Sequence, residues 1–232
     1  MNIKALMIDF GDTLAYVDEP ECRRYARELW EALQKQGYSY SFEDFEESWA
    51  KTLRQSSRGQ AKSFNDLWRL LFTELKTRED ASLMKELNAI RRTYSNNLFK
   101  LYEAVPQTLS QLKKRYKLVL VSNCSYGLSH TIKHLGLNKY FSNIILSYQV
   151  GARKPDRLIY TRALEAGKLK ADECMFIADE ISDLEGAREL GMKTLLVRQG
   201  KSTLNEAKDT DFKPNLECDR ISELPQLLKN YH

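Results

Sequence analysis

Short, continuous apolar runs recur along the chain, and their length is that of buried β-strands. Five such runs cover residues 3–8, Lys117–Val121, Asn143–Leu146, Cys174–Ala178 and Lys193–Val197. Continuous runs suit strands that are covered on both faces, as in a parallel sheet. Helical patterns separate the later runs, over Val105–Arg115, Gly127–Leu135, Pro155–Ala166 and Ser182–Leu190. This alternation predicts βαβ units with right-handed crossovers, and therefore an α/β fold with a Rossmann-like parallel sheet.

The segment from Tyr16 to Tyr102 has a different pattern and contains no strand-like run. Its aromatic and aliphatic residues recur at helical spacing, which is typical of amphipathic helices that share a core. The predicted helices are Cys22–Gln34, Phe42–Leu53, Ser63–Lys76 and Ala81–Leu101, with a loop over 55–62. We therefore expect an all-helical cap over residues 16–102, inserted directly after the first strand. Residues 1–15 and 103–232 would form the core domain.

Composition narrows the class of protein. With 42% hydrophobic and 29% charged residues, the chain of 232 residues is typical of a folded globular protein. The net charge of +4 is small and spread out, which favours a small anionic ligand over nucleic acid. Apolar runs stay well below the roughly 18 residues that span a membrane. Without signal-peptide features or ordered cysteine spacing, the sequence predicts a cytoplasmic protein.

Asp9 stands where the first predicted strand ends, followed by Phe10, Gly11, Asp12 and Thr13. Open α/β sheets bind their ligands at the carboxyl ends of the strands. An Asp carboxylate there can attack phosphorus or carbon and form a covalent intermediate. The alternative is a turn built around Gly11 and Asp12 that has no chemical role.

Three further polar groups follow later strands. Ser122 and Asn123 offer a hydroxyl and N–H groups to an anionic oxygen, or act as a helix cap. Lys154 could neutralise a nucleophile and its substrate, or be a solvated lysine, with Pro155 suited to the first helical position. Asp179 and Asp183 suit a hard cation such as Mg²⁺, or favour a helix N-terminus. Taken singly, each of these groups is modest evidence. Together with Asp9 they form four groups in this order, each after a predicted strand, and that combination is specific evidence for an active site.

In these four segments the chain resembles the haloacid dehalogenase superfamily, and the similarity extends over essentially its whole length. The flanking residues 101–106, 135–141 and 186–192 agree with it, as does the helical insertion after the first motif. The resemblance implies a hydrolase in which Asp9 is the nucleophile and Ser122 and Asn123 bind the transferring group. Lys154 would hold the oxygens of the nucleophile and of the phosphoryl group.

The resemblance also implies a Mg²⁺ cofactor. Asp9 and Asp179 would ligate the ion together with the backbone carbonyl of Gly11, and Asp183 would support its water shell. Family members with such a pair of acids are mostly phosphatases, so the implied partner is a small phosphorylated substrate.

One departure falls at the site itself. Family phosphatases usually carry an Asp two residues after the nucleophile as general acid and base, but here Gly11 holds that position and Asp12 follows it. Proton donation to the leaving group contributes roughly 10²–10⁴ in rate. Its source is open: the flexibility of Gly11 could let Asp12 take the catalytic role, whereas a shift by one residue normally turns a side chain elsewhere. Three functions therefore remain: a phosphatase, a 2-haloacid dehalogenase that needs neither metal nor general acid, and a binding or regulatory protein with little turnover.

Overall fold

The computed structural model describes residues 3–200, 211–229 and 231. Its strands are β1 (Ala5–Ile8), β2 (Ala15–Val17), β3 (Phe99–Leu101), β4 (Lys117–Ser122), β5 (Asn143–Leu146), β6 (Cys174–Ala178), β7 (Lys193–Val197) and β8 (Leu216–Cys218). Six of them form one sheet in the order β5-β4-β1-β6-β7-β8, and every pair of neighbours is parallel. The predicted α/β fold with a parallel sheet is confirmed.

The helices follow the predicted alternation. They are α1 (Glu19–Lys35), α2 (Phe42–Gln55), α3 (Phe64–Glu74), α4 (Ala81–Tyr94), α5 (Val105–Leu112), α6 (Leu128–His134), α7 (Ser147–Val150), α8 (Arg157–Gly167) and α9 (Ile181–Glu189), with a last helix at Leu224–Lys229. None of the helices in the described residues is long and apolar enough to cross a membrane.

The sheet is buried on both faces, which explains its continuous apolar runs. Leu6 and Ile8 of β1 face a core shared with α5, α6 and the last helix, whereas Ala5 and Met7 face a second core shared with α8 and α9. Successive side chains of a strand point to opposite faces, so each run supplies both cores. Burial of a side chain such as Leu6 contributes about 1.5–3 kcal/mol.

Helices α1 to α4 pack around a third core of their own, centred on residues such as Leu29, Phe45 and Trp68. Each helix begins at a polar cap: the side chains of Asp18, Ser41, Ser63 and Asp80 accept a hydrogen bond from a backbone N–H in the first turn. Such caps typically stabilise a helix by about 1 kcal/mol. The four predicted helices of this segment are therefore confirmed, the first three within three residues of their predicted bounds.

The segment 16–102 is not free of strands, and that expectation was wrong. Its two ends, β2 and β3, pair as antiparallel strands, with Ala15 opposite Leu101. Helix α4 accordingly ends at Tyr94 rather than at Leu101. The pair forms because the outgoing and returning chains run side by side. The sequence did not indicate it, since strands of three residues are too short to show an alternating hydrophobic pattern. Phe99 also packs edge-on against Phe10, with ring centroids 5.4 Å apart.

Two further differences concern single segments. Residues Ser56–Gln60, within the predicted loop, form a π-helical turn. Ser56 and Ser57 are buried, and a Cβ on Gly59 would lie 3.1 Å from the Gly151 Cα atom, so this turn packs closely against the end of α7. The short edge strand β8 was not predicted, because Leu216–Cys218 lacks a continuous apolar run.

Candidate active site

The carboxyl edge of the sheet gathers the predicted groups. Asp9 follows β1, which lies between β4 and β6, where the chain reverses its order across the sheet. The backbone N–H of Asp9 donates a hydrogen bond to the carbonyl of Ile177 in β6 at 2.9 Å. Asp9 therefore extends the pairing of β1 with β6 and lies near the residues that follow β6. Ser122 ends β4 on the other side. This reversal point is where open α/β sheets place their ligand site.

Lys154 connects the carboxylates of this edge. Its Nζ lies 2.7 Å from Asp9 Oδ1 and 2.6 Å from Asp183 Oδ2. The residue is only 4% exposed. Burial opposes a charge on this amine, but the two carboxylates outweigh it and raise the pKa of Lys154. Lys154 is therefore a fixed positive charge between two acids, and not the solvated lysine of the alternative reading.

The surroundings of Asp9 oppose ionisation of its carboxyl group. Burial, together with repulsion from Asp183 and Asp179, raises its pKa to about 7 despite the opposing attraction of Lys154. An attacking carboxylate must be ionised. A further positive charge beside Asp9 and Asp179 would favour the ionised form, because opposite charge lowers the pKa of a carboxyl group.

The residues around Asp9 and Asp179 fit Mg²⁺. In the described part of the chain, no group of three or more His, Cys, Asp or Glu side chains is placed to hold a metal ion. Mg²⁺, however, is usually bound through one or two carboxylates and keeps several waters, so two acids and one carbonyl suffice. Asp183 Oδ1 is buried and has no hydrogen-bond partner among the described residues. Such an oxygen suits a metal-bound water.

Thr13 is a residue of the site that sequence reasoning missed. Its buried hydroxyl donates to Asp179 Oδ1 at 3.1 Å. Partners behind a metal ligand orient the ligand and tune its affinity. The signal that could have found Thr13 was its position in the same turn as Asp9, since polar residues of such a turn reach the neighbouring strand end.

Asn123 makes a contact that the sequence did not indicate. Its Oδ1 accepts the N–H of Lys154 at 2.7 Å, and its Nδ2 donates to the carbonyl of Lys154 at 3.0 Å. Both ends of the amide are therefore engaged with the backbone of Lys154, and Asn123 also lines the cavity. Ser122 is nearly fully buried and lines the cavity beside the site.

The turn after Lys154 differs from the prediction. Pro155 is not the first residue of the helix, because Asp156 caps it instead: Asp156 Oδ1 accepts the N–H of Leu158 at 2.8 Å, and α8 begins at Arg157. A Cβ on Gly186 would lie 2.8 Å from the Pro155 carbonyl oxygen. Because Gly186 of α9 has no side chain, the turn at Pro155 can lie close against that helix.

Gly11 and Asp12 differ from each other in where they lie relative to the cavity. Gly11 lines the cavity, and a Cβ built on it would meet nothing within 4 Å. Asp12 does not line the cavity and has a left-handed backbone with φ of 49°. A Cβ on Gly200 would lie 2.5 Å from the Asp12 Cβ, so the loop after β7 packs against this residue. The position that faces the cavity therefore carries no side chain.

A cavity of about 1020 Å³ lies between this edge of the sheet and helices α1 to α4. Phe10, Gly11 and Ser122 line it on the sheet side. On the helical side the lining is mainly aromatic and aliphatic, with Tyr25, Trp49 and Leu67, and it also includes charged residues: Glu19, Glu46, Arg23, Arg54 and Arg91. A fourth arginine, Arg153, follows α7 and lines the cavity from outside these helices. A large, mostly apolar cavity with a few charged groups is typical of a small-molecule site.

Comparison with known proteins identifies the family. Residues 26–197, well over half of the chain, match the haloacid dehalogenase-like hydrolase family, and the chain belongs to it. The chain is 25% identical over 232 residues to glyceraldehyde 3-phosphate phosphatase of Methanopyrus kandleri, covering 98% of this chain and 97% of that protein.

Solved structures share the fold. A 2-haloacid dehalogenase of Pseudomonas syringae superposes with a TM-score of 0.76 at 22% identity, covering 99% of this chain and all of the other. A hydrolase of the same family from Bacillus subtilis, bound to magnesium, gives 0.62 at 18% identity, again over 99% of this chain and all of the other. At these identities the likeness establishes the α/β fold and not the reaction.

Proposed function

We propose that the chain is a Mg²⁺-dependent phosphatase that acts on small phosphorylated metabolites through an aspartyl-phosphate at Asp9. The observation that carries the proposal is the buried Lys154 held between Asp9 and Asp183, with Asp179 close enough to Asp9 to raise its pKa. A large cavity lies beside this group and is lined by Phe10 and Gly11, which directly follow Asp9. The name of the Methanopyrus relative supports a phosphorylated substrate of small size. We assign residues 16–102 as the cap over this site.

In the proposed reaction, an oxygen of Asp9 attacks the phosphorus, the bond to the leaving oxygen breaks, and that oxygen departs with the bonding electrons and takes a proton from solvent. Water then attacks the acyl phosphate, which releases phosphate and restores the carboxylate. Lys154 offsets the charge that Asp9 and the phosphoryl oxygens share. The hydroxyl of Ser122 donates to a phosphoryl oxygen, and Asn123 positions Lys154 through its backbone.

The metal's contribution would be to neutralise phosphoryl oxygens and to keep Asp9 ionised. Asp9, Asp179 and the Gly11 carbonyl would hold the ion, with Asp183 beside its water shell. The family's usual proton donor is missing, because Gly11 has no side chain and Asp12 is displaced by one residue. We therefore expect acyl and aryl phosphates, whose leaving groups depart readily without a proton, to be hydrolysed fastest.

The test is phosphate release from a panel of acyl, aryl, sugar and triose phosphates, with excess Mg²⁺ and with excess chelator. The proposal expects turnover that needs the metal and disappears in Asp9→Asn. Turnover of 2-haloacids with halide release in chelator would replace it with the dehalogenase function, which needs no general acid at position 11. Tight ligand binding without any turnover would point instead to a binding protein.

A further inference from the structure

Arg91 differs from the other arginines at the cavity. Arg23 and Arg54 are exposed, and Arg153 donates to Ser57 Oγ. Arg91 is half-buried on α4, and its Nε is buried without a hydrogen-bond partner among the described residues. No described acid lies within ion-pair distance of it. A buried guanidinium donor without an acceptor is unfavourable, and native proteins rarely keep one without a reason.

Aromatic stacking fixes the Arg91 guanidinium in place. Its Cζ lies 3.7 Å above the ring centroid of Phe64 on α3, well within cation–π range. Phe64 in turn meets Tyr126 edge-on, with centroids 4.9 Å apart, and the Tyr126 N–H donates to Ser56 Oγ at 2.8 Å. The stack therefore ties Arg91 to the loop that follows Ser122. A guanidinium held in this way is oriented before any ligand binds.

The electrostatic setting of Arg91 lacks a compensating acid. Burial lowers its pKa, and the ionisable groups that act on it most are Tyr25, Arg92 and Tyr126. Burial raises the pKa of the Tyr25 hydroxyl, so it offers no negative charge, and Arg92 repels the Arg91 guanidinium. Arginine matches carboxylate and phosphate groups through two parallel hydrogen bonds. An anion entering the cavity would supply the missing acceptor.

We infer that Arg91 forms a second anion subsite in the cavity, which binds a carboxylate or a second phosphate on the part of the substrate away from the transferred group. The inference rests on the proposed function for the first phosphate only. Because the cavity lining as a whole is largely apolar, the substrate class is an organic phosphate whose carbon frame separates two anionic groups. The volume of about 1020 Å³ has room for such a frame.

The test uses matched esters: 4-carboxyphenyl phosphate, 4-carbamoylphenyl phosphate, which replaces the carboxylate by an uncharged amide, and 1,4-phenylene bisphosphate. Arg91→Gln should lower kcat/KM for the carboxylate or the bisphosphate roughly ten- to hundredfold through KM, as expected for loss of a charge-assisted hydrogen bond. The carbamoyl ester should be unaffected. Whichever of the carboxylate ester and the bisphosphate responds more identifies the anion.

Arg92→Gln is the matched control, since Arg92 lies next to Arg91 on α4, is exposed and does not line the cavity. It should leave all three esters unchanged, and Arg91→Lys should restore part of the preference. If Arg91→Gln weakens hydrolysis of all three esters equally, Arg91 only supports the fold and the subsite is wrong.

A binding measurement separates this inference from the proposed function. Calorimetric titration with 4-carboxybenzylphosphonate, which cannot be hydrolysed, should show at least tenfold weaker binding to Arg91→Gln than to the wild type. The 4-carbamoyl analogue should bind both proteins alike. If this difference appears while no ester is hydrolysed, the subsite stands and the phosphatase function fails. If esters are hydrolysed but the two phosphonates show no difference, the subsite fails and the function stands.

Discussion

The side-chain amide of Asn123 holds the backbone of Lys154 at both its N–H and its carbonyl, at 2.7 and 3.0 Å. The two residues are 31 positions apart and follow adjacent strands, β4 and β5. Since the Lys154 ammonium bridges Asp9 and Asp183, the amide sets the position of the charge on which the proposed chemistry depends.

Asn123→Ala should therefore reduce kcat by about tenfold to a hundredfold and change KM little, because a small displacement of a catalytic group is enough for such a loss. Unfolding in urea should show a loss of about 1–3 kcal/mol for the two hydrogen bonds. Asn88→Ala is the control, since the Asn88 amide also makes two hydrogen bonds, to Asn65 and Met84, but within the helical segment. Wild-type kcat in Asn123→Ala would show that Lys154 keeps its position without the amide.

Asp9→Asn should abolish turnover, because an amide cannot form the aspartyl ester. It should not unfold the protein. Burial is the main cause that raises the pKa of Asp9 from 3.8 to about 7, so the folded state disfavours the ionised carboxylate. The resulting loss of stability grows as the pH rises above 3.8 and reaches its full size above pH 7. In chelator at pH 8, thermal unfolding should place Asp9→Asn at or above the wild type. More than a few per cent activity, with deamidation excluded by mass spectrometry, would remove Asp9 from its role.

Thr13→Val should raise the Mg²⁺ concentration needed for half-maximal activity by about tenfold or more, since the hydroxyl orients Asp179. Activity at saturating Mg²⁺ should stay close to that of the wild type. Thr161→Val serves as control, because the Thr161 hydroxyl makes a single hydrogen bond on the exposed face of α8. An unchanged Mg²⁺ requirement in Thr13→Val would argue against Asp179 as a ligand.

The double change Gly11→Asp and Asp12→Gly restores the family's usual order. The structure accommodates both, because a Cβ at position 11 has open space and a glycine at position 12 suits the left-handed backbone. Alkyl phosphate hydrolysis should rise selectively, by up to the roughly 10²–10⁴ that acid catalysis supplies. Aryl phosphates should gain much less.

Asp12→Asn is the companion measurement for that experiment. Asp12 has a left-handed backbone and packs against the loop after β7, so we expect its amide variant to hydrolyse alkyl phosphates as the wild type does. A selective loss of alkyl phosphate turnover would mean that Asp12 reaches the leaving group, and our account of Gly11 would be wrong.

The sequence by itself determined the sheet and the identity of the candidate groups. Five apolar runs became β1, β4, β5, β6 and β7 within two residues of their predicted bounds, because strands buried on both faces leave a continuous local signal. Each predicted group follows or ends such a strand or begins the next turn. Parallel strands align their carboxyl ends, so Asp9, Ser122 and Asp179 had to lie on one edge.

Only the tertiary structure decided which of these groups touch and which face the cavity. That Asn123 holds the Lys154 backbone, that Thr13 reaches Asp179, and that Arg91 stacks on Phe64 depend on contacts between distant parts of the chain. The pairing of β2 with β3 also depends on such a contact, because a strand of three residues is too short to show an alternating hydrophobic pattern. Local patterns reveal which face of an element is buried, but not which partner from elsewhere in the chain lies against it.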